Sequence, residues 1–248
     1  MISSFREIVG DCRARREAVG AFTCYDATTA VGVVRAAESR SAPVVLLVSE
    51  AAFTADGGDL LVAALLAVAE RATTPVCVQL DHVDDLETMA RALELGVGAL
   101  MADGSQLPYS ENLTLVRSAV ELAREVGAGV EAELGHIEGG EDVAHAVAAG
   151  ALTDPEQAQV FVRDARPDCL AVSIGNVHGA YAESPSLDWS RLEAIHDAVE
   201  VPLSLHGASG LSGQDLRRAV GSGISKVNVN AELRRRMFAD LERELREC

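Results

Sequence analysis

The chain has 248 residues, 48% hydrophobic and 24% charged, with 7 prolines and no low-complexity tract, a composition that excludes a disordered protein. Asp and Glu outnumber Lys and Arg by 38 to 21, giving a formal charge of −17. No basic stripe stands against that field, so nucleic acid is not an expected partner. The length is close to the ~250 residues of a one-domain α/β barrel.

Residues 1–20 carry charges every few positions and have no apolar centre, which does not suit a secretory signal and predicts a cytoplasmic protein. Eight short apolar runs rich in β-branched residues are then read as strands: Ala18–Cys24, Pro43–Ser49, Pro75–Leu80, Val97–Ala102, Gly129–Glu133, Cys169–Ile174, Val201–His206 and Ser225–Val229. Between them, apolar residues recur at three- and four-residue spacing, as in Leu113, Val116, Ala119, Val120 and Ala123, which predicts amphipathic helices. The longest apolar run, Leu60–Ala69, is about half of the ~20 residues needed to span a bilayer and is read as a buried helix, so no membrane is expected. Pro43, Pro75 and Pro202 stand at strand entrances, while Gly96, Gly98, Gly127, Gly221 and Gly223 close the preceding helices.

Strands without polar alternation, each followed by a helix, imply a parallel sheet covered on its outer face. Eight such units in one domain of matching length, residues 1–248, predict a single (β/α)8 TIM barrel, with a doubly wound open sheet as the alternative. The longest interruption, at about 135–154, is read as a mobile loop over one mouth of the barrel. Five cysteines with no CxxC pair suit reduced thiols in a core.

The chemistry is concentrated where the runs end. Ser49, Asp81 with His82, Asp103, Glu133, His178, His206 and the segment Asn228 to Asn230 all fall at or just after carboxyl ends, which converge on one face of a barrel. His82, His178 and His206 come from three different strand ends and match a three-histidine metal site with an open position. Any one of them alone is more simply a satisfied histidine. His145 and His196 are read as solvent-facing, and His136 is assigned no role. Asp81 would place a general acid/base beside the metal, provided the strand ends and a turn begins there, because successive strand residues face opposite sides. For Asp103 and Glu133 a helix cap or salt bridge weighs as much as a metal role. Gly207, Ala208 and Ser209 after the seventh run, the segment from Asn228 to Glu232 around the eighth, and Gly179 after His178 are candidate backbone N–H donors to a phosphate.

Five motifs in order, QLDH at 79–82, EAELG with GGED at 131–142, SIGNVHGAY at 173–181, LHGASG at 205–210 and KVNVNAEL at 226–233, resemble the class II, metal-dependent fructose/tagatose-bisphosphate aldolase family. The resemblance runs from about Phe22 to Leu233. It implies that His82, His178 and His206 hold Zn2+, another divalent ion being the substitute, with a monovalent cation as a further occupant. It also implies that Asp81 exchanges the proton at the hydroxyl of the bond broken or made and that Glu141 removes the donor's C–H proton. Asp103 and Glu133 would offer accessory metal positions. Gly179, Gly207, Ala208 and Ser209 would hold the phosphate of dihydroxyacetone phosphate, Asn228 and Asn230 would bind the donor, and Ser49 would add a donor-side contact. The implied partners are a phosphorylated ketone and an aldehyde, in a homodimer or homotetramer.

The chain departs from the family at Thr23, Val83 and Asn230-Ala231, and it ends at Cys248 where relatives continue. Two competing readings stand beside this one. Lys226, the one lysine, would point into the same interior and serve a Schiff-base aldolase. A non-catalytic sugar-phosphate-binding barrel is the other.

Overall fold

The computed structural model describes residues 1–137, 152–178 and 186–247. An N-terminal helix, α1 (Phe5–Arg15), precedes eight parallel strands: β1 (Val19–Thr23), β2 (Val44–Ser49), β3 (Val76–Val83), β4 (Ala99–Ala102), β5 (Gly129–Leu134), β6 (Cys169–Val172), β7 (Leu203–Leu205) and β8 (Ile224–Val229). They pair in sequence order and β8 returns to β1, closing a (β/α)8 TIM barrel and excluding the open sheet. The outer helices are α2 (Ala27–Ser39), α3 (Glu50–Thr54), α4 (Gly58–Arg71), α5 (Leu86–Glu94), α6 (Tyr109–Val126), α7 (Pro155–Ala165), α8 (Trp189–Ala198), α9 (Gly213–Gly221) and α10 (Ala231–Glu247).

Helix starts follow local chemistry. Asp26, Ser49, Asp85, Asp154, Asp188 and Ser212 each accept a hydrogen bond from a first-turn N–H, satisfying donors that have no partner within the helix. The expectation that Leu60–Ala69 is buried needs correction. Within α4, Val62, Leu65 and Ala69 are buried while Leu60 is 71% exposed, so the run is an amphipathic outer helix in an alanine-rich chain. No described helix is long and apolar enough to cross a membrane.

Two cores result. The larger lies between strands and outer helices, and the smaller plugs the amino-terminal end of the barrel, where Phe5, Ile8, Val9 and Cys12 of α1 meet Val45, Leu47, Cys77, Ala99 and Cys169. Gly129 makes room for this plug, since a Cβ there would lie 2.7 Å from the Phe5 ring. Cys12, Cys24, Cys77 and Cys169 are free and buried, and burial raises the thiol pKa values of Cys24 and Cys77 to about 12, which keeps them unreactive. With one end plugged, polar chemistry is confined to the other.

Candidate metal and aldol site

The side-chain period of two along each strand builds the interior in layers. On β3 the inward positions are Cys77, Gln79 and Asp81, on β5 they include Glu131 and Glu133, and on β8 Lys226 and Asn228. Gln79, Glu131 and Lys226 are fully buried and joined: Glu131 accepts from Gln79 at 2.8 Å and pairs with the Lys226 ammonium at 2.7 Å. Lys226 also donates to Asn228 at 2.5 Å, and Asn228 donates to Asp81 at 3.4 Å. A continuous polar chain thus runs from the middle of the barrel to its mouth.

His82 is where the sequence expectation differs from the structure. The strand does not end at Asp81-His82 but continues to Val83, and a bulge lets Asp81 and His82 share the mouth. Leu80 pairs with Leu100 and Val83 with Ala102, leaving one extra residue on β3, and His82 takes the left-handed φ of 50°. This conformation is uncommon outside glycine and is held here by the surrounding ladder.

His82, His178, His206 and Glu133 form one group in which a ligand atom from each lies within 4.8 Å of every other. The ring centroids of His82 stand 5.0 Å from His178 and 4.9 Å from His206. Two carboxylates behind the group set ring orientation. Asp103 takes the Nδ1 side of His82 at 2.7 Å, and Glu131 takes the Nε2 side of His206 at 2.9 Å. Each carboxylate favours the proton on the nitrogen it faces, leaving the opposite nitrogen's lone pair for a metal. His206 Nδ1 and Glu133 Oε2 are buried without a hydrogen-bond partner, 3.6 Å apart. Buried polar atoms are rarely left unpaired, and this pair within a histidine cluster fits a divalent cation.

The electrostatics of the metal-free group are divided, with two imidazoles kept neutral and the third drawn toward its proton by neighbouring carboxylates. Burial depresses the His178 pKa well below the ordinary imidazole value, helped by His82 and His206, and burial lowers His206 despite the pull of Glu131. Burial also opposes protonation of His82, but the charge of Asp81 and the hydrogen bond with Asp103 raise its pKa to about 10. Glu133 is pushed up by burial and by Asp103. Asp103 and Glu131 are held low against the effect of burial, the first by His82 and the second by Lys226 and His206.

Of the residues singled out from the sequence, Asp81, His82, His178, Gly207, Ser209, Asn228 and Asn230 line one cleft, together with Thr23 and Ala231. Glu133 joins the imidazoles directly, whereas Asp103 stands behind His82. Ser49 is paired in register with Asp81, and its hydroxyl caps α3. Ala208 is buried in the β7 connection. Ser209 accepts from the Glu232 N–H at 3.1 Å, tying that connection to the start of α10. Asn230 receives a hydrogen bond from Tyr25. Gly179, Glu141 and His145 lie outside the described residues, as does most of the expected loop at 135–154.

His196 is not simply solvent-facing: it is half-buried against Gly223, where an added Cβ would come within 2.3 Å of its Nδ1. Lys226 reaches the interior, but its ammonium is engaged by Glu131 and Asn228. Sequence reasoning missed Glu131, Gln79 and Asn176. The first two sit two positions before Glu133 and Asp81, so strand periodicity contained the signal. Asn176, inside SIGNVHGAY, donates to the His206 carbonyl at 3.1 Å and accepts from the Ile174 N–H at 2.8 Å, locking the His178 connection to β7.

Gly207 is required at its position. Its φ is 62°, and a Cβ would stand 2.0 Å from the Val177 carbonyl oxygen. Gly207→Ala is expected to lower stability by about 2 kcal/mol or more, read by thermal melting of the metal-free protein. Gly213→Ala, where the added Cβ meets only an arginine tip at 3.4 Å, should leave the melting temperature unchanged or slightly higher.

A plugged barrel whose open mouth holds three imidazoles, a carboxylate and an adjacent acid around one gap has the architecture of a metal-assisted barrel enzyme. The chain belongs to the class II fructose-bisphosphate aldolase family, whose model (Fructose-bisphosphate aldolase class-II) matches residues 3–247, and it is an aldolase. Among solved structures it is similar to the YdjI aldolase from Escherichia coli K12, with 32% identity over 98% of this chain and 86% of that one and a TM-score of 0.87. A putative fructose-1,6-biphosphate aldolase from Coccidioides immitis shares 34% identity over 90% of this chain and 79% of that one, with a TM-score of 0.83. Fructose-bisphosphate aldolase (Fba) from Campylobacter jejuni, at 22% identity over 93% of this chain and 77% of that one, shares the fold with a TM-score of 0.75.

Proposed function

We propose that the chain is a zinc-dependent aldolase that makes or cleaves a carbon–carbon bond between a phosphorylated ketone, dihydroxyacetone phosphate or a relative, and an aldehyde. The observation that carries this reading is the pair of orphaned buried atoms, His206 Nδ1 and Glu133 Oε2, facing a gap shared with His82 and His178. A divalent ion held there would supply Lewis-acid chemistry at the ketone's oxygens. Zn2+ suits the imidazole-rich donor set, with another divalent ion as substitute.

The protein's own groups divide the remaining work. Asp81, steadied by Asn228, accepts a proton from the hydroxyl on the acceptor-derived carbon in cleavage and returns it in condensation. Glu141 is assigned to the donor's C–H proton. The phosphate is assigned to backbone N–H groups of Gly179, Gly207, Ala208 and Ser209, with Asn230 beside them and Ser49 as a donor-side contact. Small residues let the anion approach the backbone, and the start of α10 adds a favourable dipole. The protein is assigned to the cytoplasm, as a homodimer or homotetramer.

The test combines metal analysis with an aldol assay on dihydroxyacetone phosphate and a panel of aldehydes. Close to one divalent ion per chain is expected, with activity lost on chelation and restored by Zn2+. His206→Ala should lose most of the metal, while His196→Ala, outside the group, should keep it. Full activity in a metal-free preparation contradicts the reading.

A further inference from the structure

The cleft is electrically one-sided. The eight connections that leave the carboxyl ends of the strands carry no Lys or Arg anywhere in their sequence, including residues 138–151 and 179–185. Carboxylates recur in them instead: Asp26 after β1, Glu50 after β2, Asp84 and Asp85 after β3, Asp103 after β4 and Asp188 after β6. Glu50 is half-buried, and the charges that bear on it are those of Asp84 and Asp85. Two arginines on neighbouring outer helices are already engaged. Arg91 stacks on the Phe53 ring at 5.3 Å, and Arg191 pairs with Asp188 at 3.2 Å and donates to the Thr153 carbonyl at 2.9 Å. Arg234 and Arg235 stand in α10, on the side of the cleft already assigned to the donor's phosphate.

The two ends of the bound substrate therefore meet opposite surroundings. One end has small residues and a helix start. The opposite side holds Asp81 on β3, paired in register with Ser49 on β2, and Glu50, Asp84 and Asp85 follow directly on the ends of these two strands. A phosphate on that second end would carry about two negative charges into a rim of carboxylates with no cation in the connections to receive it. Specificity is built by repulsion as much as by attraction.

We infer that the aldehyde acceptor carries no phosphate, so that the physiological substrate is a ketose 1-phosphate rather than a ketose bisphosphate. This rests on the aldolase reading given above and names the acceptor class for the same site. The reaction needs no further reactant. In cleavage the C3–C4 bond breaks, the C4 hydroxyl proton leaves as the aldehyde forms, the bonding pair remains on the ketone fragment, and a proton added at C3 completes dihydroxyacetone phosphate.

The experiment measures condensation of dihydroxyacetone phosphate with D-glyceraldehyde and with D-glyceraldehyde 3-phosphate, using the metal-loaded enzyme. The ratio of kcat/KM values is expected to favour the uncharged aldehyde at least tenfold, and a smaller or inverted ratio overturns the inference while leaving the aldolase reading intact. Absence of product from any aldehyde in a wide panel would remove the aldolase reading and the inference with it. Glu50→Gln combined with Asp84→Lys should reduce the ratio at least threefold, glyceraldehyde serving as the reference for correct folding, and Asp85 being kept because it caps α5. An unchanged ratio in a folded variant contradicts the acidic rim as the cause. In the wild-type enzyme, raising the ionic strength from about 0.02 to about 0.5 M should narrow the ratio by screening the rim, and no change with salt counts against it.

Discussion

Asp81→Asn is expected to lower aldol turnover by ~10²-fold or more while leaving metal content unchanged. Asp81 lies outside the four-residue ligand group, so its loss removes no donor atom. Asparagine has nearly the same shape and can still face Asn228, but it cannot take up the hydroxyl proton. Exchange of the donor ketone's C–H proton with solvent, a step that precedes work on the distal hydroxyl, should survive. The paired variant Glu141→Ala is expected to show the reverse pattern, losing exchange first. Metal analysis, proton exchange followed by NMR and steady-state turnover separate the two roles. Identical defects in both variants, or loss of metal in Asp81→Asn, would show that the assignment of Asp81 is wrong.

The barrel was legible because buried parallel strands are short apolar runs, and all eight were placed within a few residues of their observed positions. Proline at strand entrances and glycine after helices sharpened those limits: Gly127 closes α6 at φ 77°, and β2, β3 and β7 begin one residue after Pro43, Pro75 and Pro202. The candidate site was legible because strand ends converge once the sheet closes, so His82, His178 and His206 needed no knowledge of contacts. What escaped were features set by register. The bulge that brings Asp81 and His82 to one side depends on how β3 pairs with β4, and nothing in LDHV announces an extra residue. Glu131 and Lys226 look like neighbours of more conspicuous residues, and their ion pair joins β5 to β8 across the interior. Only closure of the barrel makes that pairing visible. The acidic rim is likewise a sum over connections far apart in sequence.

The buried pair also gives the largest expected effect on stability. Lys226→Met should destabilise the protein by about 3–5 kcal/mol, because it leaves the Glu131 carboxylate with one cationic partner fewer in an interior that excludes water. Glu131 then has Gln79 and His206 to satisfy it, and it pulls the His206 proton harder toward itself or becomes protonated. Either change disturbs the ring that offers Nδ1 to the metal, so metal affinity should fall about 10- to 100-fold. The double variant Lys226→Met with Glu131→Leu removes both buried charges and should recover part of the lost stability, the remainder being the cost of leaving Gln79, His206 and Asn228 without their partners. Metal affinity should not recover with it, because His206 Nε2 has lost the carboxylate that fixes its proton. Chemical denaturation of the metal-free proteins reads the first quantity and competition with a chelator reads the second. Recovery of both together would mean that Glu131 serves packing alone. In the wild-type enzyme, borohydride added with dihydroxyacetone phosphate should leave activity intact, because the Lys226 amine is engaged by Glu131 and Asn228 below the cleft and does not line it. Irreversible inactivation with the donor attached to Lys226 would return the Schiff-base reading in place of the metal one.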